Sequence, residues 1–422
     1  MSFSTAITGL NAASADLNVK SNNIANVNTT GFKGSRAEFA DVYALSAFGT
    51  SNTAMGSGVV LNSVSQQFTQ GNLEFTDNSL DLGISGQGFF TLAPTQTSGE
   101  VVYSRAGAFG INKDGYVVNG AGQFLRAFPV NPDGTVSSTA ISSTTPLQLP
   151  SSSGVPQATT TLDLSANLPS TATPLVAATA IDPTDTATFT NSTSATIFDS
   201  LGNQHVVTTY YKKTDAALNQ WDVDVYIDEP SGANAQTQLG GTKVLTFDPA
   251  TGGALSSVPT DQAYSIGSLA SGASVPQVFT LDFLGSTQNS GSFNVSGLRQ
   301  DGFSTGRLSG LDISDQGLVN ATYTNGQSTP LGKIALANFP NPQGLKQIGN
   351  TSWIETVDSG QVLSGEAGTG SFGLVQSGSL ESSNVDLTKE LVGLIIAQRN
   401  FQANSKSIET ENAITQTIIN LR

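Results

Sequence analysis

Apolar residues recur with a helical period at both ends of the chain and with a strand period between them. In the last stretch, Glu381 to Arg422, Leu387, Leu391, Leu394, Phe401 and Ile408 follow one another at spacings of three, four and seven, which is a heptad seam. The apolar stripe then passes to Ile414, Ile418 and Leu421, while Gln398, Ser405 and Asn412 put polar atoms where a strong coiled coil would carry Leu or Ile. At about 1.5 Å per residue such a helix spans roughly 50 Å, too long for one small core and long enough for a strut between subunits. At the other end Phe3, Leu10, Leu17 and Ile24 recur every seven residues, with Ile7, Ser14 and Ser21 between them. Two imperfect seams at opposite termini point to one coiled-coil-like bundle that needs partners. The alternative is that each helix packs separately on a globular core.

The run Asn22, Asn23, Ile24, Ala25, Asn26, Val27, Asn28 ends the first helix, because short amides compete for backbone groups; Gly31 then supplies a left-handed turn before Phe32. From Phe39 to Phe90 short β runs are punctuated by glycine, and Gly86-Gln87-Gly88 reads as a tight turn rather than a nucleotide loop, lacking a third glycine and a following helix. Asp114-Gly115, followed by Tyr116, Val117 and Val118, marks a hairpin. Residues 146–156, rich in Ser and Pro, form a connector. Beyond it Trp221, Val223, Val225 and Ile227 alternate with Asp222, Asp224 and Tyr226, predicting a strand with one apolar and one wet face. Phe279, Leu281 and Phe283 repeat that pattern.

These patterns predict a mainly β chain with terminal α-helices and nested, discontinuous domains. Residues 1–30 with 381–422 would form the helical polymerisation domain, 31–150 with 303–380 an inner β domain, and 151–302 an outer β-sandwich or barrel.

Composition narrows the function. Only 12% of the 422 residues are charged, about half the usual share, and Ser, Thr, Asn, Gln and Gly take their place, as on an extracellular or assembly surface. A net charge of -15 without clustered Lys or Arg argues against nucleic acid. No Cys is present, so neither disulfides nor thiolate zinc sites can form. The opening residues are not a conventional signal peptide, and the longest apolar run, around Leu394, is far short of a bilayer span, so membrane insertion is not expected. The single His205 lies in a strand-like run, without the second ligand a metal needs or a nucleophile motif. No catalytic residue, cofactor or metal is expected. A secreted glycan-binding or hydrolytic β protein is the rival of a different class, and it would need paired carboxylates or an aromatic platform that nothing in the sequence singles out.

Several long motifs resemble the bacterial flagellar axial rod and hook family, most closely its hook members. They are the opening Phe3-Ser4-Thr5-Ala6 to Ser14, the Asn22 to Lys33 run with Asn23, Asn26, Gly31 and Phe32, the run Ser35 to Tyr43, and the turns Gly86 to Phe90 and Arg105 to Phe109. At the far end they are Gly378 to Leu387, with Asn384 and Asp386, and Gln398-Arg399-Asn400-Phe401-Gln402-Ala403-Asn404. Asn400 departs from the aliphatic or small residue common there. The resemblance covers roughly the first 130 and last 50 positions. It implies a structural subunit polymerising with copies of itself into a curved tube that passes torque from rod to filament. It further implies contact with rod, hook cap and hook-filament junction proteins, and export by the flagellar type III apparatus to the cell exterior without a cleaved signal. The subunit interface would then comprise Phe3, Ile7, Leu10, Leu17, Ile24, Leu387, Leu391, Leu394, Phe401, Ile408, Ile414, Ile418 and Leu421. Rod subunits lack so large a middle insertion, which favours the hook; a distal rod or junction protein is the alternative.

Overall fold

The computed structural model describes residues 3–42, 56–177, 179–215, 219–228, 236–257, 262–269 and 271–420. Among them are two α-helices, α1 (Phe3–Ala25) and α2 (Leu387–Asn420), with β strands between. The chain divides into two compact units, one of Met1–Pro150, Ser309–Thr322 and Ser328–Arg422, the other of Ser151–Leu308 and Tyr323–Gln327. The terminal helices share their unit with the first β layer.

In that first unit, the buried strand Phe89–Ala93 pairs with Val102–Ser104, Phe124–Phe128 and Ser328–Asn338. Phe89, Tyr103, Phe339 and Trp353 pack edge to face, with Phe89 and Trp353 ring centres 5.7 Å apart, an arrangement the ring quadrupoles favour. The expected hairpin forms: Phe109–Ile111 pairs with Val117–Asn119, and the Asn112 carboxamide oxygen accepts from the amides of Asp114 and Tyr116. Gly86 and Gly88 both have φ above +100°, which only glycine adopts comfortably and which makes that run a turn. Two short pairings bring the chain ends to this layer, Leu374–Ser377 on Leu82–Ser85 and Ser379–Glu381 on Leu73–Phe75. A ribbon of Ser35–Asp41 and Val59–Gln66 packs along α1.

The second unit is one ten-stranded sheet whose strands share a single core, including Leu162, Leu164, Ile197, Val207, Trp221, Val225, Leu245, Phe279 and Leu281. A sheet whose first and last strands meet in one core must curl over on itself, in keeping with the sandwich or barrel expected. One expectation fails. The second face of the strand carrying Trp221 is not wet, because the segment around Ile181 and Phe189 crosses it. Tyr226 donates its hydroxyl to the Ile181 carbonyl (2.8 Å), Phe189 packs on Tyr210 and Tyr210 on Tyr226, and Asp224 is buried with them. Tyr has enough apolar body to be covered once its hydroxyl finds an acceptor, so strict alternation did not mean one solvated face.

Candidate assembly surface

Helix α2 begins at Leu387, the first residue of the apolar seam and six positions into the terminal stretch, and a cap fixes that start. Asp386 accepts from the amides of Thr388 (2.9 Å) and Lys389 (3.1 Å), satisfying donors that the first helical turn leaves without partners. Before it, Glu381 belongs to a strand. At the other end α1 stops where Asn26 donates to the Asn22 carbonyl and accepts from the Thr29 hydroxyl.

The two helices pack on each other antiparallel, with Gly9 against Asn404 at one end and Lys20 paired with Glu390 (3.2 Å) towards the other. Small residues make this contact: Ala6, Ala13 and Ala397 are buried, and Gly393 lies against the Lys20 side chain. Half of the seam foreseen from the sequence lies on this same face: Leu394, Phe401 and Ile408 share it with Ala397 and Asn404 at spacings of three and four, as Leu10 and Leu17 do with Ala6 and Ala13. Phe3, Ile7, Leu387, Leu391, Ile414 and Ile418 are exposed, and Leu10, Leu17, Ile24, Leu394, Phe401 and Ile408 are half-buried; Leu421 lies outside the described residues. Helix period alone fixes a stripe but not its partner. Alanine and glycine let two backbones come close, the half-buried seam residues flank them, and the remaining large side chains face outward.

The outward stripe is wider than the seam. Val392, Ile395, Ile396 and Ile419 are exposed beside it, and Ile419 is 65% accessible. The unbroken run Leu391-Val392-Gly393-Leu394-Ile395-Ile396 was the available signal, because a heptad count keeps only part of such a run. Such an exposed apolar surface on a chain with little charge is the mark of an interaction site. The ribbon beside α1 adds Phe39, Val60 and Val64, also exposed.

Most motif residues hold the chain ends rather than face outward. Asn23 is buried and makes a reciprocal pair with Ser35, donating to its carbonyl (2.8 Å) and accepting from its amide (2.9 Å). Gly31, at φ +69°, presses so closely on the backbone of Arg105 and Ala106 that any β-carbon would clash, and Phe32 is buried beside it. Asn384 accepts from the Gly34 amide (2.8 Å) and donates to the Gln67 and Thr69 carbonyls. Asn404 faces Gly9, whereas Gln398 and Arg399 are exposed on α2.

Sequence reading did not foresee a buried ionic cluster. The Lys33 ammonium lies 2.6 Å from Glu381 Oε1 and Arg105 Nη1 lies 3.2 Å from Oε2, with the Lys33 and Glu381 side chains fully buried. Burial pushes both the Lys33 and the Arg105 pKa down, and the Glu381 carboxylate opposes that shift. In the second unit His205 is buried and bonds Asp199 Oδ2 (3.1 Å), the same oxygen that Ser271 bonds (2.6 Å). The hydroxyl and the imidazole converge on the carboxylate rather than on each other, so this trio is a structural knot and not a nucleophile relay.

Comparison with known proteins agrees with the geometry. Four family profiles match: flagella basal body rod protein over residues 3–33, flagellar hook protein FlgE/F/G D1 domain over 83–165, flagellar basal body protein FlaE D2 domain over 167–303, and flagellar basal body rod FlgEFG protein C-terminal over 376–421. Flagellar hook protein FlgE of Escherichia coli (strain K12) is 38% identical over the whole of both chains. The chain belongs to the flagellar hook protein family. Hook proteins of Salmonella typhimurium, 37% identical over both full lengths, and Borreliella burgdorferi, 31% identical over 100% of this chain and 99% of that one, extend the match. The crystal structure of Helicobacter pylori flagellar hook protein FlgE2 shares the fold, with TM-score 0.54 and 15% identity, over 73% of this chain and all of that one.

Proposed function

We propose that this hook-family chain is a structural subunit that polymerises with copies of itself into the flagellar hook, a flexible tube passing torque from rod to filament. The observation that supports it best is the division of labour on the helices. Small residues and half-buried seam residues such as Leu394 and Phe401 join α1 to α2, and other large apolar ones, from Phe3 and Ile7 to Leu391, Ile414 and Ile418, are left exposed for neighbouring subunits. Burying such side chains contributes roughly 1.5–3 kcal/mol each, so a few per subunit suffice to drive association. Residues 1–30 with 381–422 would form the inner layer and 151–302 the outer one. Rod, cap and junction proteins would meet the two ends of the tube, and the flagellar type III apparatus would export the chain to the exterior.

Electron microscopy of concentrated purified protein tests this directly. Tubes of uniform diameter are the expected result. A protein that stays monomeric under all assembly conditions while its helices are folded would overturn the reading.

A further inference from the structure

Glu381 is the meeting point of four separate stretches of chain. Its Oε1 accepts from Lys33 Nζ (2.6 Å) and the Gly71 amide (2.9 Å), its Oε2 from Arg105 (3.2 Å), and its backbone carbonyl from the Gly31 amide (2.7 Å). Each cation is in turn tied to backbone: Lys33 donates to the Thr69 carbonyl (2.8 Å), and Arg105 to that of Gly86 (3.0 Å) while its guanidinium lies 5.4 Å over the Phe89 ring. Helix α1 ends six positions before Gly31, and α2 begins six after Glu381. Both helices therefore leave the β layer through leads fastened at one carboxylate.

The charges are unequal, with one buried anion for two buried cations. A buried ion pair adds little stability over an apolar pair of the same shape, but it fixes geometry, and removing one partner strands the other at high cost. The stranding is asymmetric here. Without the Lys33 ammonium, Glu381 still has Arg105, whereas without the Glu381 charge two cations are left together in a dry site.

We infer that Glu381 is a clasp that makes the ordering of the two chain ends mutually dependent. The N-terminal lead cannot settle against Arg105 and Thr69 until the C-terminal lead brings its carboxylate, so each subunit presents both helices in fixed register or neither. This deepens the hook-subunit reading and rests on it only for what the register serves; the clasp itself is a property of the single chain.

The test compares full-length Glu381→Gln, Lys33→Met and the double variant with the parent. Amide hydrogen exchange of the monomer reads the clasp, and microscopy of each protein reads assembly. Glu381→Gln should speed exchange at Gly31 and Gly71 by about a hundredfold or more, leave Phe89–Ala93 protected, and abolish tubes. Lys33→Met should do much less, and combining it with Glu381→Gln should recover part of the loss, because one stranded cation is gone. Parent-like protection at Gly31 and Gly71 in Glu381→Gln would overturn the clasp. Equal loss at Phe89–Ala93 would do so too, by making Glu381 a general prop of the core. Absence of tubes from the parent would count against the subunit reading instead, since monomer exchange is measured without them.

Discussion

Gly9 and Asn404 face each other across the antiparallel helix pair so closely that a β-carbon on Gly9 would stand 2.8 Å from Asn404 Oδ1. The contact sits between Ala6 and Ala13, so the helices approach over small residues flanked by the half-buried Leu10 and Leu17. The obstructing atom ends a side chain that can turn. Gly9→Ala should therefore be tolerated within about 1 kcal/mol, since the helix gains nearly that much propensity over glycine. Gly9→Leu has no such escape and should part the helices. Side by side, tubes from the alanine variant and none from the leucine variant are expected; equal assembly by both would mean the pair is not this close in the polymer.

The exposed and half-buried positions of α2 separate two causes of failure. Leu391 is 43% accessible and Leu394 is half-buried, three positions apart on neighbouring lines of the helix. Leu391→Asp should leave the thermal midpoint of the monomer nearly unchanged, as surface substitutions stay within about 0.5 kcal/mol, yet prevent assembly. Leu394→Asp should also prevent assembly, and it should lower the stability of α2, because a charge entering a partly covered seam costs several kcal/mol and the near cation on α1, Lys20, is already paired with Glu390. Normal tubes from Leu391→Asp would show that this side of the helix faces solvent in the polymer.

What could be read from sequence was whatever a period or a turn residue fixes locally. The helices at Phe3–Ala25 and Leu387–Asn420, the Asp114-Gly115 hairpin and the apolar strand through Trp221 all have such signals. The pairing of the two terminal helices was legible in their seams, but how closely they approach was not. Ala6, Gly9 and Ala397 were passed over because small residues carry no hydrophobic weight, though smallness is what allows close approach. The Glu381 cluster joins positions 33, 105 and 381, and only the folded chain brings charges so far apart in sequence into one buried site. The burial of Asp224 and Tyr226 was likewise invisible, since it depends on a crossing segment and not on the strand's own pattern.

Acid should act on the second unit through Asp199. Burial pushes the Asp199 carboxyl up, but bonds from Ser271, His205 and Asn203 more than offset it and hold its pKa well below the usual carboxylate range. A carboxyl whose folded pKa is depressed contributes stability that is complete above its unfolded value, about 3.9, and is lost as pH falls from there through the folded value. Asp199→Ala leaves the amides of Leu201 and Asn203 without their acceptor and should cost roughly 2–4 kcal/mol at neutral pH. The gap between thermal melts of parent and variant should be constant from pH 7 down to about 5 and narrow progressively as pH falls below about 4. A gap independent of pH would mean the carboxylate's charge is not what matters.

Deleting the second unit tests the division between assembly and shape. The chain enters it at Ser151 and leaves at Leu308, and those residues are hydrogen-bonded, the Leu308 amide donating to the Ser151 carbonyl (3.2 Å). Ser152 with Arg307 and Gln157 with Phe303 continue the same antiparallel pairing. Entry and exit strands running side by side mean that a short Gly-Ser bridge from Pro150 to Ser309 spans the cut without dragging on the first unit. The hairpin tip at 323–327 loses its bonds to Ser153, Ser304 and Arg307, a local loss at a turn. The remaining chain keeps α1, α2, their exposed stripe and the Glu381 clasp, so it should still assemble. Its tubes should differ in curvature. Rows of subunits in a bent, turning tube must shorten and lengthen in sequence, and wet contacts between outer domains can slide where dry helix seams cannot. Tubes of the deletion variant imaged beside the parent give the answer. Unchanged curvature would remove the outer unit's role in shape. A variant that folds but never assembles would move the essential polymer contacts out of the helices and into residues 151–308.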